Sequence, residues 1–124
     1  MGRLGFNNEN VVEDIIAISK MDYLNIEGIL SNFSEADIRD KSCAQEQLAK
    51  FNEIRKSLSK TIRNNFLFHI ANSAATMSYK GAHMDAVRPG IMLYGCSPVM
   101  GQGSRVKGPG AELKPAMRVR TSIL

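Results

Sequence analysis

Two short segments of this 124-residue chain contain the residues whose types and spacing favour ligand chemistry. In the first, Asn72 and Ser73 follow the apolar run Phe66-Leu67-Phe68, and short polar side chains of this kind are typical of a helix start. Free amides, the helix dipole and the Ser73 hydroxyl together predict a site for a phosphate group. On spacing alone, a plain helix cap is the commoner reason for a serine at this position.

The second segment is Arg88-Pro89-Gly90-Ile91, and it begins fifteen residues after Ser73. We interpret it as part of another strand, in which Gly90 lets the backbone come close to a ligand and Arg88 supplies a fixed positive charge. Without further information, Arg88 is as well explained as a surface charge at a strand end. A histidine such as His69 is more often part of a core than a catalyst.

Apolar periodicity places these segments in alternating strands and helices. It predicts helices near 10–20, near 42–62 and near 72–78, with strands at 24–30, at 65–69, near 86–94 and at 113–124. Two of the helix starts, at Asn10 and Ser42, fit the capping-box pattern. Strands alternating with helices predict parallel βαβ units, and the Gly, Ser and Pro content of 97–110 predicts a linker.

Composition and charge argue against several classes of protein. The net charge is +4, but the basic residues are scattered among acidic ones, so we do not expect a nucleic-acid partner. No stretch reaches the roughly 18 apolar residues of a membrane helix, and we expect a cytoplasmic protein. Cys43 and Cys96 have no partner at Cys-x-x-Cys spacing, so we expect free thiols and no metal site.

The sequence resembles alanine racemase, the bacterial pyridoxal-phosphate enzyme, at His69-Ile70-Ala71-Asn72-Ser73-Ala74-Ala75 and Arg88-Pro89-Gly90-Ile91-Met92-Leu93-Tyr94-Gly95. Three further stretches agree with that family in order and spacing: Met1-Gly2-Arg3-Leu4-Gly5-Phe6, residues 24–34, and Leu113-Lys114-Pro115-Ala116-Met117. The resemblance implies an α/β fold, namely the last three to four βα units of a TIM-type (β/α)₈ barrel. A partial barrel domain is expected at 1–98, and a linker with the first strand of a β-rich C-terminal domain at 99–124. Because such a barrel needs roughly 200 residues or more, a fragment is implied.

The resemblance also implies roles for individual residues toward the cofactor pyridoxal 5'-phosphate. Its phosphate would contact Ser73, Gly90 and Ile91, the last two through backbone amides. Arg88 would face the ring nitrogen, and an arginine there keeps that nitrogen unprotonated because it cannot accept a proton. Arg3 would lie on the phenolic-oxygen side of the cofactor and help to place the substrate carboxylate.

Two more residues are implied behind these cofactor contacts, in a second shell. His69 would hydrogen-bond the guanidinium group and fix its orientation. Asn32 stands before Phe33 where the family usually has histidine, and an amide can donate one hydrogen bond but cannot titrate.

The resemblance implies that the complete protein is an isomerase that interconverts L-alanine and D-alanine for peptidoglycan synthesis, as a homodimer. The two bases of that family, a lysine that also holds the cofactor and a tyrosine of the partner subunit, match no residue of this chain. The chain alone is therefore expected to be inactive. Three alternatives remain open: a racemase of serine or of broad specificity, a non-catalytic barrel protein that binds the cofactor, and a remnant that does not fold.

Overall fold

The computed structural model describes residues 2–63, 65–98, 113–118 and 120–121. Helices and strands alternate along these residues: α1 (Val11–Ile18), β1 (Gly28–Leu30), α2 (Ser42–Thr61), β2 (Leu67–His69) and α3 (Ser73–Ser78), followed by 3-10 turns at Lys80–Ala82 and Ile91–Tyr94. The predicted α/β alternation and the three predicted helices are confirmed. No helix in the described part of the chain is long and apolar enough to cross a membrane.

The two strands form one parallel pair, with Ile29 opposite Phe68 and Leu30 opposite His69. Both strands are shorter than their apolar runs predicted. Because parallel strands end at the same edge of a sheet, the residues that follow β1 and those that follow β2 emerge side by side. One backbone hydrogen bond continues the pairing past the strands, from Ser31 N–H to His69 O at 3.2 Å.

One part of the core lies between β2 and one face of α2. This face buries Ala44, Leu48, Phe51 and Leu58, whose spacing of three, four or seven residues keeps them on one side of a helix. Phe68 points into the same layer, 3% exposed, and its ring meets Phe51 edge-on with centroids 6.0 Å apart. The packing of α2 against β2 therefore holds the carboxyl ends of the strands in place.

Both capping-box predictions are wrong. Asn10 makes no side-chain cap hydrogen bond, and α2 is preceded by Lys41, so Ser42 is the first residue of the helix. The N-cap residues Asn10 and Lys41 have ψ angles of 1° and 5°, whereas a capping side chain needs an extended backbone to turn back toward the first amides. Asn72 has that extended backbone, and its side chain does cap α3.

The strand predicted near 86–94 is also wrong, because residues 86–90 form no strand and residues 91–94 form a 3-10 turn. Pro89 has no N–H to give to a ladder, and Gly90 leaves the extended region with φ −117° and ψ −92°. Two backbone hydrogen bonds still join this part of the chain to β2 and the residues after it, one from Asp85 N–H, directly before the predicted strand, to Phe68 O and one from Arg88 N–H to Ala71 O.

The described residues of the predicted strand 113–124, which are 113–118 and 120–121, contain no strand. The Ala116 N–H donates to Leu93 O at 2.7 Å, and this single bond does not make a ladder. Most of the predicted linker 97–110, and the start of the unit predicted at 99–124, lie outside the described residues.

Candidate functional site

The guanidinium group of Arg88 lies across the carboxyl ends of β1 and β2. Its Nη2 donates to Ser31 O at 2.7 Å and to Asn32 Oδ1 at 3.1 Å. Its Nη1 lies 2.8 Å from His69 Nδ1 and donates to His69 O at 3.1 Å. Since arginine has no acceptor, the imidazole must accept at Nδ1. We call these four residues the Arg88 cluster.

The sheet explains why the cluster assembles. Parallel pairing places the Ser31 and His69 carbonyl groups beside each other, and the planar fork of an arginine can donate to both at once. The contribution of Ser31 comes from its backbone, so no side-chain pattern in the sequence predicted it. Asn32 also donates from its Nδ2 to Phe33 O at 3.0 Å, which turns its oxygen toward Arg88.

The electrostatics of the cluster favour a neutral histidine. Burial lowers the pKa of His69, and the positive charge of Arg88 lowers this pKa further. Burial also lowers the pKa of Arg88 from its very high usual value, and the group stays charged at neutral pH. A neutral imidazole with its lone pair at Nδ1 is the form that can accept from Arg88 Nη1.

We expect the free energy of unfolding to fall on acidification because of His69. Above about pH 6.5 the ring is neutral in the folded and unfolded chains alike. Below that pH the unfolded chain takes up the proton first, since the pKa is lower in the folded chain, and the loss continues until pH falls through the folded pKa. Urea unfolding between about pH 8 and pH 5 measures this slope.

The variant His69→Asn is the control for this prediction, because asparagine keeps an acceptor for Arg88 but cannot titrate. The pH slope of the wild type should exceed that of the variant. Equal slopes in the two proteins would show that His69 does not have a lowered pKa.

Ser73 is buried at the start of α3, and its hydroxyl accepts a hydrogen bond from Gly90 N–H at 2.7 Å. The helix cap is Asn72, whose Oδ1 accepts from Ala75 N–H at 3.1 Å. The plain-cap interpretation of Ser73 is therefore wrong. Because the hydroxyl accepts from Gly90, its own proton is available for another acceptor.

The remaining predicted residues lie around these two groups. Ile91 begins the 3-10 turn directly after Gly90, with its side chain about half exposed. Arg3 is exposed, and it lines a cleft of about 770 Å³ together with Asn32. Among the hydrogen bonds of the described residues, none connects Arg3 to the Arg88 cluster or to Ser73.

The described residues contain neither a metal-ligand cluster nor paired cysteines. In the part of the chain that the structure describes, no group of three or more His, Cys, Asp or Glu residues could hold a metal ion. Both cysteines are free thiols, as predicted: Cys43 is half-buried and Cys96 is exposed.

Comparison with known proteins gives a consistent result. Residues 1–98 match the family described as alanine racemase, N-terminal domain. The chain is similar to alanine racemase 2 of Caldanaerobacter subterraneus subsp. tengcongensis, with 39% identity covering 100% of this chain and 31% of the relative. It is also similar to the alanine racemase of Thermodesulfovibrio yellowstonii, with 44% identity covering 100% and 30%. The chain thus spans about a third of the length of these curated relatives.

Solved structures agree with this. Alanine racemase from Clostridium difficile 630 superposes with a TM-score of 0.82 and 31% identity, over 93% of this chain and 29% of that one. The alanine racemase from Bacillus anthracis with bound L-Ala-P superposes with a TM-score of 0.76 and 29% identity, over the same shares of the two chains.

Proposed function

Because the chain belongs to the alanine racemase N-terminal domain family, we propose that it is part of a pyridoxal 5'-phosphate-dependent alanine racemase. In this role it contributes contacts to the cofactor and leaves proton transfer at the substrate to residues outside it. The observation that carries the proposal is the Arg88 cluster, a charged group held by four hydrogen bonds at the carboxyl edge of a parallel sheet, where α/β barrels place their ligands.

The donors on this edge fit the cofactor. Within the described residues, the side-chain hydrogen bonds of Arg88 use its two Nη atoms, which leaves the Nε–H for an acceptor such as a pyridine nitrogen. Ser73 offers its hydroxyl proton to a phosphate oxygen, beside Gly90 and the turn that begins at Ile91. Pyridoxal 5'-phosphate has a phosphate group and a ring nitrogen that accepts a hydrogen bond. The Ser73 hydroxyl matches the first, and the Arg88 Nε–H matches the second.

The cofactor, when bound, withdraws electrons and so acidifies the Cα–H bond of an amino acid. The residues of this chain position it. The guanidinium group of Arg88 donates hydrogen bonds and cannot accept a proton, so the ring nitrogen of the cofactor that faces it stays unprotonated. His69 and Asn32 keep the guanidinium group from rotating, and Ser73 anchors the opposite end. Arg3 is proposed to reach the cofactor from the cleft side.

We extend the proposal to the domain organisation. Residues 1–98 are proposed to be the later βα units of a (β/α)₈ barrel, and residues 99–124 a linker with the first strand of a C-terminal β domain. The family match ends at residue 98, which supports this boundary.

The activity proposed for the complete protein is the interconversion of L-alanine and D-alanine, which supplies peptidoglycan synthesis in the cytoplasm. Alanine as substrate is supported by the names of the relatives. We propose a homodimer, with the two bases supplied by residues outside this chain. Racemisation by the complete protein, assayed with alanine and serine in parallel, tests the substrate; a preference for serine would contradict the proposal.

We expect Ser73→Ala to raise the dissociation constant for pyridoxal 5'-phosphate about tenfold, because one hydrogen bond to a charged phosphate is lost. Equilibrium dialysis of the complete protein against the cofactor measures this. Ser78→Ala is the matched control, since Ser78 lies on the same helix and its hydroxyl donates to Ala74 O instead. If both variants bind the cofactor as the wild type does, Ser73 is not a phosphate ligand.

A further inference from the structure

The segment from Asp85 to Gly90 follows β2 and the start of α3 in a constant register, although it is not a strand. Asp85 pairs with Phe68, Arg88 with Ala71 and Gly90 with the Ser73 hydroxyl, and each partner lies 17 positions earlier in the chain. Arg88 and Gly90, two residues of the candidate site, are therefore the second and third points of a ladder that begins at Asp85.

Asp85 makes the first point of this ladder with both its backbone and its side chain. Its N–H donates to Phe68 O at 3.1 Å, and its Oδ2 accepts from Phe68 N–H at 2.9 Å. The carboxylate thus takes the place of the carbonyl group that a neighbouring strand would supply. Phe68 is 3% exposed, so an unpaired N–H at this position would be costly.

The surroundings of Asp85 restrict where it can sit. Met84, directly before it, has a φ of 49°, so the chain turns sharply into the ladder. Arg55 of α2 lies over the Phe68 ring, 5.3 Å from its centroid, and its Nη2 is 3.3 Å from Asp85 Oδ1. The core helix α2 and the strand β2 therefore both contact the same carboxylate.

We propose that Asp85 is a positioning residue, whose carboxylate sets the register of segment 85–90 against β2 and thereby delivers Arg88 to His69 and Gly90 to Ser73. A slip of one residue along an extended segment would move Arg88 by about 3.3 Å. Its hydrogen bonds of 2.7 to 3.1 Å would not survive that displacement. The consequence for cofactor binding rests on the proposed function, whereas the register itself does not.

The test is the titration of His69, followed by nuclear magnetic resonance of ¹⁵N-labelled histidine in the full chain without ligand. In Asp85→Ala the charge of Arg88 moves away from the imidazole, and the pKa of His69 should rise, although burial, the larger cause of its lowering, remains. In Asp85→Asn the amide oxygen still accepts from Phe68 N–H, so this pKa should stay as in the wild type. Glu46→Ala, which removes an exposed ion pair with Lys50, is the control.

A folded Asp85→Ala protein with an unchanged His69 pKa would overturn the proposal. If that variant does not fold, hydrogen exchange of the wild type decides: the Phe68 and Arg88 amides should open together, and a Phe68 amide that exchanges as freely as a loop amide overturns the proposal. Dialysis against pyridoxal 5'-phosphate separates the two proposals. A complete wild-type protein that binds no cofactor contradicts the proposed function and leaves the His69 result valid.

Discussion

We expect Arg88→Ala to lose roughly 2–3 kcal/mol of unfolding free energy, since hydrogen bonds to a charged group contribute about 1.5–3 kcal/mol and part of the loss is recovered by water. The side chain joins Ser31 and Asn32 after β1 to His69 at the end of β2. Its removal leaves these four acceptors without their donor. No other side chain of the Arg88 cluster joins the residues after β1 to the end of β2. In the complete protein we expect cofactor affinity to fall by more than the tenfold predicted for Ser73→Ala.

The informative variant is Arg88→Lys, which keeps the charge. An ammonium group has three donors arranged as a tripod, and it cannot match the four acceptors that the planar fork reaches. We therefore expect lysine to restore less than half of the lost stability. Urea unfolding measures both variants. Lys50→Ala, which removes an exposed pair with Glu46, is the control and should cost much less stability than Arg88→Ala. A lysine variant as stable as the wild type would show that charge, not geometry, holds the cluster together.

Replacing Phe68 by alanine is expected to cost about 3–5 kcal/mol of unfolding free energy, the usual range for a buried phenylalanine. Phe68 lies at the middle of β2, 3% exposed, and its ring contacts Phe51 of α2 and Phe66, with centroids 6.0 and 6.2 Å away. A typical domain has about 5–15 kcal/mol in total, so the variant loses a large share of its stability. Because β2 carries His69, the Arg88 cluster should loosen as well.

Denaturant unfolding followed by circular dichroism measures this loss. Phe68→Leu is the graded control, since it keeps most of the side-chain volume and should cost about 1–2 kcal/mol. The two values should therefore scale with the volume removed. An alanine variant that unfolds at the same denaturant concentration as the wild type would show that α2 does not depend on this contact.

Local patterns predicted the parts of the fold that depend on local interactions. The helix Ser42–Thr61 follows from apolar residues at helical spacing, and the start of α3 follows from Asn72, whose side chain bonds an amide three residues later. The resemblance carried by the segments at 69–75 and 88–95 also named Arg88 and His69, which the structure shows hydrogen-bonded to each other. Their roles toward the cofactor, and those of Ser73, Gly90, Ile91, Asn32 and Arg3, remain predictions.

The patterns failed where the deciding partner is distant in the sequence. The apolar residues of 86–94 favour a strand in the sequence. Apolar content does not show whether the backbone finds a partner for a hydrogen-bonded ladder, so it could not distinguish a strand from the observed turn. In the structure, Gly90 turns away and donates to Ser73, 17 residues earlier. The capping boxes at Asn10 and Ser42 failed for a related reason, since a side chain caps only if the preceding loop gives it an extended backbone.

The sequence by itself determined the α/β class, the helices and the family, because these depend on periodicity and on motifs contained in short stretches of chain. The tertiary structure decided how the site is assembled. Ser31, Asn32, His69 and Arg88 belong to three separate segments, and they meet only because β1 and β2 pair in parallel and segment 85–90 is held against β2. Hydrogen-bond geometry across such segments is set to within a few tenths of an ångström by packing, and residue type alone does not specify it.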